Sequence, residues 1–105
     1  RHDLILSTFA TSIPENYTKE KFVNKKLDYG KHSLPIEVWG YKNNVMRTIN
    51  IHNKVIKKIS DFSNIHCIEM DKEIPKNGNN FDDICHLTAK GSKTFAEKLL
   101  PSLIP

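Results

Sequence analysis

The 105-residue chain contains no apolar run approaching the length of a bilayer, so no segment reads as a membrane-spanning helix. It has only two cysteines, Cys67 and Cys85, and neither a C-x-x-C pair nor a Cys/His ladder. A disulfide scaffold and a zinc-finger-type site are both excluded by that count and spacing. Internal repeats and low-complexity tracts are missing, which excludes a solenoid or a tail of biased composition. Arginine is scarce, and lysine carries nearly all of a net charge of +4.

What remains is ordinary globular composition, 38% hydrophobic and 27% charged. The length suits one domain and not two. The lysines are scattered, and the densest patches, "TKEKFVNKK" and "KVIKK", read as a solvated basic face rather than a nucleic-acid surface. The opening "RHDLILSTFATS" has too short an apolar run for a signal-peptide core. It reads instead as a buried strand over about residues 3–9.

A long irregular stretch follows, residues 11–42, punctuated by Pro14, Gly30, Pro35 and Gly40. A short helix is expected within "PENYTKEKFVNKKL", capped by Asn16 or Thr18. Trp39 and Tyr41 are expected as packing anchors. "NNVMRTINIHNKVIKKIS" is the clearest helix, with Val45, Ile49, His52, Ile56 and Ile59 on one stripe and Met46 and Val55 widening it. His52 is read as a core-edge histidine. A second strand is expected at about residues 65–70, then a loop, "KEIPKNGNNFDD". A last helix begins after Thr88, with Phe95, Ala96, Leu99, Leu100 and Leu103 inward and Pro101 ending or kinking it. Strand, helix, strand is the rhythm of a parallel sheet. Two strands make a small one, so the chain reads as part of a larger α/β domain.

Each cysteine neighbours a histidine, in "IHCIE" and "ICHLT". Adjacent residues of an extended chain face opposite ways, so neither pair is expected to converge on a metal. Buried free thiols are expected, with a Cys67–Cys85 disulfide left open.

The chemistry concentrates in "FDDICHLTAKG". A histidine acts as a general base when one ring nitrogen is free and the other is held by an acceptor that fixes tautomer and orientation. Asp83, three residues before His86, can supply that acceptor from the same loop. Asp82 is the second choice. The same residues also read as a turn and helix cap, with aspartates bonded to their own backbone.

Phe81, Asp83, His86, Leu87, Thr88, Gly91, Phe95 and Ala96 together resemble the last block of the SGNH (GDSL-type) esterase and lipase family. The element order also resembles that family's second half. The resemblance implies a flavodoxin-like three-layer α/β/α sandwich with a parallel sheet, of which this is the C-terminal half. It implies hydrolysis or transfer of an acyl ester, from an acylated carbohydrate or a lipid, through a serine acyl-enzyme. His86 would be the base and then the acid, and Asp83 would orient it. The resemblance implies no cofactor and no metal.

The family's G-D-S block and its G-x-N-D block have no counterpart here, and there is no G-x-S-x-G elbow. Ser7 and Ser12 lie near a strand end but do not match the nucleophile's position. The chain is therefore expected to be a C-terminal piece, inactive alone, whose partner is the N-terminal half or a second copy. The competing expectation is a non-catalytic interaction module.

Overall fold

The computed structural model describes residues 4–104. Two short strands, β1 (Ile5–Ser7) and β2 (His66–Ile68), pair in parallel with Leu6 opposite Cys67. A parallel pair needs a crossover, and residues 8–65 supply it. The fold is mixed α/β, built on this two-stranded parallel sheet.

Asp3, the first residue of the expected strand, lies outside the described residues, and at its other end β1 stops short of the expected residue 9 for a visible reason. The ladder continues one step, from the Thr8 N–H to the Ile68 carbonyl at 3.1 Å. At Phe9 a side chain takes over. The amide of Asn53 accepts from the Phe9 N–H at 2.8 Å and donates to the Phe9 carbonyl at 3.0 Å. One asparagine thus replaces a neighbouring strand for that peptide, and both ends of a nearly buried amide are satisfied.

Helix α1 (Lys19–Val23) is capped by Thr18, whose hydroxyl accepts from the Lys21 N–H at 3.1 Å. Its Phe22 is buried, although it lies inside the densest lysine patch. A 3-10 turn (Ile36–Val38) leads into α2 (Lys42–Ser63). That helix outruns the expected segment and ends at Asn64, which takes the left-handed conformation at φ 54° and closes the last turn on Ser60. Its inward line is Val45, Ile49, Asn53, Ile56 and Ser60. The stripe expected from the sequence was turned by about one residue. His52, Val55 and Ile59 are exposed, and polar Asn53 occupies the inward position.

After β2, the chain turns at once into α3 (Met70–Glu73), where a strand end and then a loop were expected. Thr8 Oγ1 and Asp71 hold this junction at 2.5 Å. Helix α4 (Ala89–Leu103) continues through Pro101 to Leu103. Phe95 and Leu99 pack against the core, but Ala96, Leu100 and Leu103 are exposed.

Trp39 and Tyr41 do not anchor the core. They are 47% and 81% exposed. Ile36, three residues before Trp39, fills the interior instead, together with Met70, Ile74, Phe81 and Ile84. The radius of gyration is 14.9 Å, against about 13 Å for a compact domain of this length. The molecule is a slab, 46 × 27 × 18 Å, with apolar side chains left outside. Cys67 and Cys85 are half-buried free thiols, with no disulfide between them.

Candidate active site

The sequence "NNFDDICHLTAKG" folds as a tight hairpin leading into α4. Phe81 and Leu87 form an antiparallel bridge, and the Asp82 N–H donates to the His86 carbonyl at 2.8 Å. The Thr88 N–H donates to the Asn80 carbonyl at 2.9 Å, and its hydroxyl donates to the Asn79 carbonyl at 2.5 Å. The same hydroxyl accepts from the Gly91 N–H at 3.0 Å, capping α4. Gly91 is required by the close approach this creates. A Cβ there would lie 2.1 Å from the Asn80 carbonyl oxygen.

Between the pinned ends sits Asp83, 0% exposed. Its Oδ1 accepts from the backbone N–H groups of Cys85 at 3.0 Å and His86 at 2.8 Å. These bonds curl the D-x-x-H residues back on the carboxylate. Its Oδ2 faces Nδ1 of His86 at 2.8 Å, and Oδ1 is 3.0 Å from the same nitrogen. An ionised carboxylate only accepts, so Nδ1 carries the proton and, in the neutral ring, Nε2 keeps a free lone pair. The His86 side chain is 55% exposed, so that lone pair belongs to an accessible ring.

Burial pushes the Asp83 carboxyl toward its neutral form. The N–H groups of Cys85 and His86, the His86 ring and the N–H of Leu34 outweigh it, and the group is held below its ordinary value. Asp83 is therefore an anion at neutral pH.

The Leu34 bond, 3.0 Å to Oδ2, was not foreseen. It belongs to a run in which alternate residues reach the hairpin. Asp28 accepts from the Gly78 N–H, the Gly30 N–H donates to the Phe81 carbonyl, and the His32 N–H donates to the Asp82 carbonyl. His32 adopts φ 54° to do so, its ring standing 5.2 Å from Phe22 and 5.4 Å from Tyr29. The one clue in the sequence is that Leu34 precedes Pro35, which keeps it extended and its N–H out of any helix.

Asp82, the second-choice carboxylate, turns away toward Gly30. The Ser7 hydroxyl donates to the Thr8 carbonyl at 2.9 Å. Ser12 is buried, and its backbone is held by the Ile84 carbonyl at 2.8 Å and by the Tyr29 hydroxyl at 2.5 Å.

The expectation that Cys85 and His86 face apart is corrected. The chain turns at this point instead of extending, and Cys85 Sγ lies 3.6 Å from His86 Nδ1. Asp83, Cys85 and His86 bring their ligand atoms within 4.8 Å of one another. Burial, and then the Asp83 charge, push the Cys85 thiol up to about 11, so it stays protonated at neutral pH. Both Asp83 oxygens already accept several N–H bonds. A metal would have to displace those bonds and deprotonate a disfavoured thiol, whereas the carboxylate–imidazole pair is satisfied as it stands.

No protein-family model, curated protein or solved structure matches this chain.

Proposed function

We propose that this chain carries the base and its orienting carboxylate for a serine ester hydrolase of the SGNH type. The observation that supports this reading best is the bond from a fully buried, ionised Asp83 to Nδ1 of a half-exposed His86. In the proposed reaction, Nε2 of His86 takes the proton of a serine hydroxyl as its oxygen attacks the ester carbonyl. The imidazolium then gives that proton to the departing alcohol. Water is activated the same way to release the acyl group. Asp83 stabilises the imidazolium in both halves and keeps its own charge throughout.

The serine and the oxyanion-hole donors come, on this reading, from polypeptide outside these 105 residues. The two strands then belong to a wider parallel sheet in a flavodoxin-like sandwich. The exposed apolar residues Ile51, Val55, Ile59 and Phe62 of α2 support such a neighbour or a second copy.

A second reading has its own support. The Asp83 bonds to the Cys85 and His86 N–H groups are what a turn-forming aspartate makes in a non-catalytic module. That role needs no bond to the imidazole ring, which is why the catalytic reading is preferred.

The test is fluorophosphonate labelling of the protein together with any polypeptide that continues or accompanies it, read by intact mass, beside ester hydrolysis. His86→Ala should lower hydrolysis at least about a thousandfold, with the circular dichroism spectrum unchanged. A labelled serine elsewhere supports the reading, and a label on Ser7 or Ser12 relocates the nucleophile. Hydrolysis that survives His86→Ala sinks it.

A further inference from the structure

A cleft of about 320 Å³ opens beside the D-x-x-H turn, at the end of β1. Its walls are Phe9, Trp39, Val45, Ile49 and Ile84. Cys85 forms part of the same wall, and its Sγ is the atom 3.6 Å from His86 Nδ1. The Ile84–Cys85 dipeptide therefore has two surfaces. One belongs to the loop between Asp83 and His86, and the other lines the cleft.

The polar members of the lining are Asn44 and Thr48, with no charged side chain among them, and the Cys85 thiol is neutral. Such a lining favours apolar atoms and cannot neutralise an ionic head. The volume is at the low end for small-ligand sites, and well below what a partner helix about 10 Å across requires. Phe9 and Trp39, each 47% exposed, stand at this cleft as uncovered aromatic surface.

We propose that the cleft takes the apolar acyl chain of the ester, leaving its carbonyl end at His86. This rests on the ester-hydrolase reading above. It assigns the substrate's acyl part to an unbranched or lightly branched alkyl chain, not a charged or sugar-like one.

Trp39 is the only tryptophan in the sequence, so its fluorescence reports the cleft directly. The probes are straight-chain carboxylic acids from butanoic to decanoic, which are also the products of such hydrolysis. Each added methylene should tighten binding by about fourfold until the cleft is full, with Trp39 emission moving to shorter wavelength. Thr48→Phe, at an exposed position of α2, should weaken the longer acids at least tenfold without disturbing the core. Affinity that ignores chain length, or that Thr48→Phe leaves intact, overturns the proposal. The two readings separate cleanly. Flat affinity beside His86-dependent hydrolysis sinks the cleft alone. Chain-length-dependent binding without such hydrolysis sinks the esterase and leaves an apolar-chain site.

Discussion

The hairpin around Asp83 and the outer face of α2 lie in one small molecule and are built on opposite terms. In the hairpin, nearly every polar group has a partner. Asp83 alone accepts from three backbone N–H groups and a ring, and Phe81 beside it is wholly buried. Along α2, Ile51, Val55, Ile59 and Phe62 stand in water, the last 94% exposed. The hairpin is finished by contacts within the chain. The helix face is apolar surface that the rest of the chain leaves about half exposed or more. Local polar satisfaction and apolar burial are thus separable, and the candidate site depends on the first.

The contrast can be broken hardest at its centre. Asp83→Ala strands the N–H groups of Leu34, Cys85 and His86 and removes the ring's acceptor. A loss on the order of 3 kcal/mol is expected in urea unfolding, and any ester hydrolysis that depends on His86 should fall with it. Gly91→Ala comes next. Its Cβ meets the Asn80 carbonyl, so α4 must shift off the hairpin at about 2 kcal/mol, read as a lowered Tm. Phe62→Ser is the control on the other side. It should change stability by less than about 0.5 kcal/mol, while weakening any self-association seen in sedimentation.

Acid sharpens the same comparison. Asp83 is held below its unfolded value of about 3.9, so its contribution is present above that pH. It is lost as pH falls through the lower, folded value. The stability gap between the protein and Asp83→Asn, measured by urea midpoints, should be constant near neutrality and close below about pH 4. A gap that persists at lower pH would mean that the carboxylate's charge is not what holds the hairpin.

The hairpin was also the most legible part of the sequence. Asp83, His86, the Thr88 cap and Gly91 are close in sequence and act on one another over a few residues, so their spacing carries their geometry. Helices α2 and α4 and both strands were legible from apolar periodicity. What was lost is what depends on distant chain. Asn53 is invisible to an apolar periodicity because it is polar, yet its amide serves the Phe9 peptide from 44 residues away. The type of Trp39 and Tyr41 suggests burial, but burial is decided by neighbours, and both are exposed. Cys85 and His86 were placed on opposite faces by a rule for strands, at a point where Asp83 curls the chain. The Leu34 N–H, 49 residues from its acceptor, leaves almost no mark on the local sequence.

The alternation of Asp28, Gly30, His32 and Leu34 against the hairpin makes the long connector a ruler. One residue inserted between Tyr29 and Leu34 would put every later N–H out of phase. It would turn Leu34 away from Asp83 and slacken the grip on His86 without altering any residue of the pair. The exposed tip at Lys25 and Lys26 bears no such relation to the hairpin and can absorb extra length. Variation in the length of this connector should therefore gather at the lysine tip and stop short of Asp28.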